Sequence, residues 1–485
     1  MQLNKDGVQK WFSQFGHFNF LIFFVTLSLQ AGSFEEFQQV QKAEFKSYKD
    51  TKDLEFSQYL KETWSEYSTE FSPNLYKNQK PKKILPSLQK QVVSVGPLIQ
   101  IVSPPPADMN LSIPIQMNKN SDLELIFFGQ KLGFDIDKQF KNAKFYPQNQ
   151  MGITHFFNTM AASEYEDIVA SIQKVSTDFR LNDWGVYQLV NMLSASIYNS
   201  PDDRKLFAWF LFNKLGYAVK VALASKHVVL LYYSKNVIYS TPRFKFDGRN
   251  FYVISNYTKG FSDNIFTYKQ DYPNATKELD LSLKVFPQWK QDLRTKTLSF
   301  KHLSKEYLFH HTYDNNLIEF MATYPQADYE TYFNASLSAR AYSDIARDIK
   351  KYIDGKKSSE AINFVLNFVQ KAFIYERDED QFKREKVMFA DETLFYAKSD
   401  CEDRAILFSS LVKRLFGFSV VGVKYKDHMA TALYIPMKGD TVKVGLRRFV
   451  IADPTYVNAN IGESMPKYRS KIPESFIVVR RDNNE

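Results

Sequence analysis

The stretch that decides the fold is SDCEDRAILFSSLVKRLFGF, residues 399–418, which contains the only cysteine of the 485-residue chain. Asp400 offers a side-chain oxygen that caps helices, and Gly417 follows the apolar run, where a left-handed residue commonly ends a helix. Ser399 is the alternative cap, so the pattern predicts that Cys401 lies in or just before the first turn of a helix. Free N–H groups and the helix dipole at such a position favour a thiolate, so we expect a lowered thiol pKa. The alternative is a buried apolar cysteine without chemistry.

Two further segments supply the groups that a nucleophilic thiol needs. FSVVGVKY and MATALYIP follow the helix as β-like segments, and His428 begins the second. A third apolar strand, RRFVIAD, ends at Asp453. The ends of neighbouring strands can meet at a helix N-terminus. A histidine placed there takes the thiol proton, and a carboxylate fixes the histidine tautomer.

The words DCEDRA, KDHMATALYIP and IADPTY, in this order, resemble the transglutaminase-like superfamily, which has a papain-like α+β fold. The resemblance covers residues 341–485. It implies that Cys401 is the nucleophile, His428 the base and Asp453 the orienting acid. One departure is Met429, which follows the histidine where many members have an aromatic residue. The family includes peptidases, amidases, protein crosslinkers and inactive members, so the resemblance implies acyl chemistry at an amide without fixing the reaction.

A second, degenerate copy of this pattern lies upstream, in PDDRKLFAWFLFNKLGYAVKVALASKH from Pro201. The matched residues are Asp203 with Asp403, Arg204 with Arg404, and His227 with His428. Pro201 replaces the thiol and Asn256 replaces the acid, so this copy cannot perform thiol chemistry. We expect a shared Asp–Arg pair that maintains the fold, and an inactive lobe over residues 109–340 with a β-rich insert.

The second copy carries about 23 more residues than the first just before its helix, within ERDEDQFKREKVMFADETLFYAKSD. A loop of that length is uncommon unless it is functional. We expect its second half to line the active site. Tyr396 would stack on substrate or help form an oxyanion hole, and Glu392 would bind a basic group of the substrate. Simple packing is the alternative for both residues.

The amino terminus is typical of a signal peptide over residues 1–32. Lys5 and Lys10 precede the apolar residues 18–29, and small residues follow. Twelve residues are too few for a membrane span, which needs about 20. We therefore expect an exported protein, periplasmic or extracellular, although a buried N-terminal helix is the alternative.

An amphipathic helix is predicted for residues 33–72, because large aromatic residues recur every eleven positions. One row consists of Phe34, Phe45, Phe56 and Tyr67. Eleven residues make three helical turns, so the row lies on one face. Such a helix would self-associate, giving a homo-oligomer through residues 34–71, or would lie on the body of the protein. Residues 73–108 are rich in proline and predict a semi-extended spacer.

Composition excludes several classes of partner. The net charge of +9 is spread over interspersed acids and bases, so we expect no nucleic-acid binding. Association with an anionic cell envelope fits better. No cofactor or metal site is predicted, because the adjacent His310 and His311 lack a completing ligand set. The sequence thus predicts tandem transglutaminase-like α+β lobes forming a cysteine peptidase or amidase that acts on a protein or peptide. The alternative is a non-enzymatic binding or scaffold protein.

Overall fold

The computed structural model describes residues 50–62, 64–101, 121–254 and 264–480. Residues 53–485 form one compact unit, and only residues 50–52 of the preceding unit are described. The predicted signal peptide and residues 102–108 of the predicted spacer lie outside the described residues. Among the helices that are described, none has the length and apolar character needed to cross a bilayer.

The described helices pack with two larger sheets and three two-stranded sheets. They are α1 (50–61), α2 (Gln150–Ala161), α3 (Glu166–Asp178), α4 (Asp183–Ile197), α5 (Pro201–Lys214), α6 (Asn315–Ala322), α7 (Tyr329–Phe333), α8 (Ala339–Ile353), α9 (Ser358–Lys371), α10 (Asp378–Phe382), α11 (Ala390–Phe395) and α12 (Cys401–Phe416), with a 3₁₀ turn at Lys138–Asn142.

The strands are β1 (Ser65–Tyr67), β2 (Glu70–Phe71), β3 (Leu123–Phe127), β4 (Gln130–Phe134), β5 (Val219–Ala224), β6 (His227–Tyr233), β7 (Pro242–Phe246), β8 (Arg249–Tyr252), β9 (Ile265–Thr267), β10 (Leu293–His302), β11 (Lys305–Asp314), β12 (Ile374–Tyr375), β13 (Lys398–Ser399), β14 (Val420–Lys424), β15 (Met429–Leu433), β16 (Thr441–Val444), β17 (Arg447–Ala452) and β18 (Ser475–Val478).

Two antiparallel sheets repeat one strand order. The second runs β16-β17-β15-β14-β18, and the middle of the first runs β7-β8-β6-β5-β9. A helix directly precedes each sheet, α5 before β5 and α12 before β14. β2 and β1 extend the first sheet at its two edges. The predicted α+β class is confirmed, and the repeated order agrees with an internal duplication. That the lobes are transglutaminase-like stays a prediction.

The predicted Asp–Arg pair is wrong in its chemistry, because each side chain binds backbone atoms instead. The contacts are Asp403 Oδ1 with Met388 N (2.9 Å), Asp203 Oδ1 with Phe145 N (2.8 Å), Arg404 Nη2 with Phe373 O (2.8 Å) and Arg204 Nε with Tyr198 O (2.6 Å). Buried backbone groups need such partners, and both copies supply them from the same two helix positions. The shared dipeptide therefore anchors each helix to the segments before it.

Residues 33–49 of the predicted helix lie outside the described residues, and the rest of that prediction is corrected at its carboxyl end. α1 ends at residue 61, and residues 65–67 form a strand paired with β9. Gln150 ends the helix by donating to the carbonyls of Leu60 (2.6 Å) and Glu62 (2.9 Å), which are among the helix's terminal acceptors. The aromatic period continues to Tyr67, but that ring packs on Phe246 as part of the sheet. Tertiary partners, rather than the period, thus decide where the helix stops.

Residues 73–101 are not a spacer, and we call them the covering segment. They lie along the second lobe, with backbone bonds from Asn78 N to Lys426 O (3.1 Å) and from Ser87 N to Val457 O (2.8 Å). Lys80 is buried within that lobe. Prolines and lysines predict an extended, solvated chain, and the segment is extended but partly buried.

The boundary expected between residues 340 and 341 does not match the packing. The hairpin β10–β11 lies on the helices of the second lobe. His310 N donates to Asp348 (2.7 Å), and Thr312 N donates to Asp344 (2.9 Å), both on α8. The packing of this hairpin therefore crosses the expected boundary, and the place where the second lobe starts stays a prediction.

Phe56 tests whether α1 belongs to the body of the protein. Its ring is 1% exposed and lies 5.1 Å from the Tyr272 ring and 5.3 Å from the Phe157 ring, between centroids. Phe56→Ala should lower the free energy of unfolding by about 3–5 kcal/mol in urea denaturation, because it leaves a cavity in the core. The matched control is Leu54→Ala, at a side chain 61% exposed, which should change stability by less than about 0.5 kcal/mol. Equal effects of the two substitutions would contradict this packing.

Candidate active site

Cys401 is the first residue of α12, in agreement with its predicted place in or just before the first turn. Asp403 Oδ2 accepts a hydrogen bond from Asp400 N (3.1 Å), which fixes the entry into the helix. Gly417 ends the helix with a φ of +67°. The first turn is buried against the sheet that follows, so the position of the sulfur is set by helix packing.

His428 and Asp453 meet where two neighbouring strands end. Thr431 of β15 faces Ala452 of β17, which brings the residue before β15 close to the residue after β17. His428 Nε2 lies 2.8 Å from Asp453 Oδ2. Asp453 Oδ1 accepts from the backbone N–H of Thr455 (2.9 Å). The carboxylate is therefore held in place by its own turn and orients the imidazole, as expected for the acid of a relay.

The other ring nitrogen of His428 is available. The ring is buried and stacks on Tyr468, with centroids 4.7 Å apart and planes 16° apart. Nδ1 has no hydrogen-bond partner among the described residues. A buried ring nitrogen without a partner costs about 1–3 kcal/mol, which proteins rarely accept without a reason.

The thiol is buried and is engaged by other groups. Cys401 Sγ lies 3.2 Å from Glu402 Oε2 and 3.8 Å from the Tyr76 hydroxyl. Because His428 Nδ1 is unpartnered, the thiol–imidazole hydrogen bond that a relay requires is not formed in the described part of the chain. The structure thus brings the histidine and the acid together, and it shows the thiol turned to a different acceptor.

The expected lowering of the thiol pKa is wrong for this arrangement. Burial raises the pKa of Cys401 well above its usual value, and the carboxyl groups of Glu402 and Asp400 raise it further, while Lys80 opposes them. The helix N-terminus is a partial positive charge, and it is outweighed by desolvation and by neighbouring acids. The sulfur is held as a thiol here.

Lys80 lies at the centre of a group that the sequence did not reveal. Its Nζ is 2.5 Å from Asp400 Oδ2, 2.8 Å from Glu402 Oε1 and 3.3 Å from Asp378 Oδ2. We call these three carboxyl groups and the space that Lys80 fills the acidic pocket. Glu385, at the rim, is 2.8 Å from the same nitrogen. Glu402 joins the pocket to the thiol, since its two oxygens contact Lys80 and Cys401.

The charge of Lys80 determines which carboxyl groups of the acidic pocket are ionised. Burial alone would raise the pKa of Glu402, but the charge of Lys80 lowers it to about 2. Burial raises the pKa of Asp378 to about 7, against the opposing charge of Lys80. The pKa of Asp400 is raised by burial and by the charges of Asp378 and Glu402. Glu402 is therefore the ionised partner of the ammonium, while the other two acids hold protons more tightly.

The predicted substrate-binding residues serve the chain itself. Glu392 is fully buried, with Oε1 2.6 Å from Lys386 Nζ and Oε2 accepting from Phe389 N (3.1 Å). It does bind a basic group, but one that belongs to the protein. The Tyr396 ring packs edge-on against Phe382, with centroids 5.3 Å apart. Neither contact supports a substrate role, and both roles stay predictions.

The long insertion before the helix does line the site, partly through residues that we did not expect. Asp378 and Glu385 come from its first half, and Asp400 comes from its end. A run of charges such as ERDEDQFKREK is usually solvated, so burial of its acids has no sequence signal without knowledge of Lys80. The lysine itself lies 320 positions from Asp400, a separation over which spacing predicts nothing.

The same carboxyl groups are the described residues with metal-ligand geometry. Three overlapping sets bring ligand atoms within 4.8 Å of one another: Asp400 with Cys401 and Glu402, Asp378 with Asp400 and Asp403, and Asp378 with Glu385 and Glu402. The Lys80 ammonium already supplies a positive charge to this space.

The first copy shows what the second has gained. Pro201 begins α5 at the position of Cys401. His227 is exposed, and its Nδ1 lies 3.2 Å from Asp202 Oδ2, on the helix that precedes it. The side chain of His227 is therefore exposed rather than packed. Asn256 lies outside the described residues.

No protein-family model matches this sequence, and no curated protein or solved structure matches it either.

The buried acid Asp378 makes stability depend on pH. Its folded pKa of about 7 lies above the ordinary 3.8. Between these values the folded chain keeps a proton that the unfolded chain has lost, so the free energy of unfolding should fall as the pH rises from about 4.5 to about 7.5. Asp378→Asn should reduce that loss in urea titrations at the two pH values.

The control is Asp380→Asn on the same short helix. The Asp380 carboxyl has a lowered pKa beside Arg377, so it is ionised over the whole range in both states. Between the two pH values, the free energy of unfolding of this variant should fall by as much as that of the parent chain. An equally large fall in Asp378→Asn would contradict the raised pKa of Asp378.

Proposed function

We propose that the protein is an exported thiol-dependent hydrolase of amide bonds in a protein or peptide, a cysteine peptidase or amidase with transglutaminase-like lobes. Cys401 is the nucleophile, His428 the base and Asp453 the orienting acid. The observation that carries the proposal is the 2.8 Å contact between His428 Nε2 and Asp453 Oδ2, with Nδ1 of the same ring buried and unpartnered within the described residues. A buried imidazole oriented on one side and available on the other suits a general base.

The chemistry follows from those roles. The Cys401 thiol gives its proton to His428 Nδ1, and the sulfur attacks the amide carbonyl carbon. The C–N bond then breaks, and the amine leaves with the proton from the imidazole. Water adds to the thioester, with His428 again taking a proton, and the acid product leaves as the thiol is restored. The Asp453 carboxylate stabilises the imidazolium that forms in both halves.

The arrangement described here is a closed state of that site. Tyr76 and Lys80, both of the covering segment, occupy the acceptors beside the sulfur and exclude solvent from it. The thiol must exchange Glu402 for His428 before it can react. Opening of the covering segment next to Cys401 is therefore part of the proposal.

The proposals about place and assembly rest on the sequence alone. Export is supported by the pattern of residues 1–32, and contact with the cell envelope by the positive net charge. Self-association through residues 34–71 would have less exposed apolar surface than the aromatic stripe predicts. Phe56 of that stripe is buried and packs against the protein's own core.

A binding or scaffold protein is the second candidate, and one observation favours it. Cys401 is buried, its pKa is raised, and it donates to Glu402, which is how an inert structural thiol is held. In that case the second lobe, like the first, would be a recognition module without chemistry.

Alkylation of the single cysteine separates the two candidates. In the full-length chain, iodoacetamide should react slowly with Cys401 at about pH 6, because the thiol is buried and protonated. Lys80→Met and Tyr76→Ala, which remove the two covering groups, should each speed the reaction. Adding His428→Ala to either should slow it at least about tenfold, since the imidazole then no longer draws off the thiol proton.

The matched control is Lys82→Met, at an exposed lysine of the same segment, which should react as slowly as the parent. Mass spectrometry reads the modification directly, because the chain has one cysteine. A thiol that stays inert in both opened variants, or one that reacts equally with and without His428, would contradict the hydrolase and support the scaffold.

A further inference from the structure

Lys80 enters the acidic pocket from an extended chain. Residue 80 lies in neither a helix nor a strand, so its side chain projects from a single passing segment. The side chain is 1% exposed, and its ammonium group contacts the three carboxyl groups of the acidic pocket at 2.5–3.3 Å, with Glu385 at the rim. Burying a charge this deeply requires a site that surrounds it with partners.

The backbone on each side of Lys80 is bound to a different segment of the second lobe. Asn78 N donates to Lys426 O (3.1 Å), in the loop that leads to His428. Pro81 O accepts from the Tyr375 hydroxyl (2.7 Å), at the end of the strand before the insertion. An extended peptide held by main-chain bonds, with one side chain in a deep pocket, is a common form of peptide recognition.

The pocket lies directly beside the reacting sulfur. Glu402 contacts the ammonium through Oε1 at 2.8 Å and the thiol through Oε2 at 3.2 Å. Asp378 Oδ1 is also buried there and has no hydrogen-bond partner in the described ranges of the chain. Acceptor capacity thus remains beyond what Lys80 uses.

We infer that the acidic pocket is a subsite for the side-chain ammonium group of a lysine-type residue in an extended peptide substrate, and that Lys80 occupies it in cis. This inference rests on the proposed function, because it names the substrate class of the same site. The covering segment is then an internal competitor for the acidic pocket, and a lysine-containing peptide takes its place when the segment is released.

The pocket recognises the ammonium and does not use it as a nucleophile. Burial alone would lower the pKa of Lys80, but Asp400, Glu402 and Asp378 together raise it well above its usual value. An amine must lose its proton before it can attack a thioester. An ammonium held in this pocket stays protonated, so water remains the group that resolves the acyl-enzyme.

The test uses the full-length Lys80→Ala chain, in which the pocket is vacated. Butylammonium chloride, which matches the lysine side chain from Cβ onward, should raise the melting temperature of this variant in a saturable way. It should not do so for the parent chain, whose pocket is filled. The uncharged 1-butanol should have no such effect, because the carboxyl groups need a cation. Stabilisation by both compounds alike, or of both chains alike, would overturn the subsite.

Two further arms define the ligand. Nα-acetyl-lysine methylamide should stabilise Lys80→Ala, whereas the norleucine derivative should not. 1,4-Diaminobutane should bind more weakly than butylammonium, since its second charge would lie near the buried stem of Lys80, away from the pocket carboxyl groups. Stronger binding of the diamine would overturn the peptide assignment in favour of a free polyamine. If Lys80→Ala does not fold alone, the yield of refolded protein with each compound gives the same comparison.

The subsite and the hydrolase can fail separately. In a Lys80→Ala, Cys401→Ser chain, butylammonium should still bind, because the pocket carboxyl groups do not need the sulfur. Retained butylammonium binding, together with a Cys401 alkylation rate that does not depend on His428, would refute the hydrolase alone. Lost binding together with a His428-dependent thiol would refute the subsite alone.

Discussion

The ion pair between Lys80 and Glu402 is the interaction on which the described arrangement depends. Both groups are buried, and the covering segment supplies one while the first turn of α12 supplies the other. Removing one partner of such a pair typically costs about 3–5 kcal/mol, because the other charge stays buried and uncompensated. The pair therefore holds the segment over the site. It also explains why Glu402 is ionised and can accept the hydrogen bond that the Cys401 thiol donates. One contact fixes the path of the chain and the state of the sulfur.

The two lobes place different side chains on similar frameworks. Both sheets have the same strand order, and both helices use their Asp–Arg dipeptide to bind backbone groups. The differences lie in the first turn and the insertion before it. Pro201 and Asp202 make a capped helix whose aspartate pairs with an exposed histidine. Cys401 donates a hydrogen bond to Glu402, and the buried Nδ1 of His428 has no partner among the described residues. The shared framework thus presents a different set of side chains in each lobe.

Local patterns predicted the parts of the fold that local forces determine. The start of α12 at Cys401, its end at Gly417 and the strand ends that bring His428 to Asp453 follow from capping, periodicity and alternation. The burial of Lys80 and the ionisation of Glu402 do not, because each depends on a partner hundreds of residues away. The thiol pKa was predicted in the wrong direction for the same reason, since the helix dipole is local and the acids around it are not. The aromatic period predicted a helix beyond residue 61, but residues 65–67 pair with β9 instead, so tertiary pairing overrode helix propensity.

Hydrogen exchange of the covering segment tests the central claim most directly, namely that the Lys80 charge holds this segment on the second lobe. In the native full-length chain, Lys80→Met should speed amide exchange in peptides that contain Asn78, whose N–H is bonded to Lys426 O. Peptides from β14 to β18 should exchange as in the parent, and Lys82→Met should change nothing. Unchanged exchange around residue 78 in Lys80→Met would contradict the account, because the segment would then be held without its buried charge.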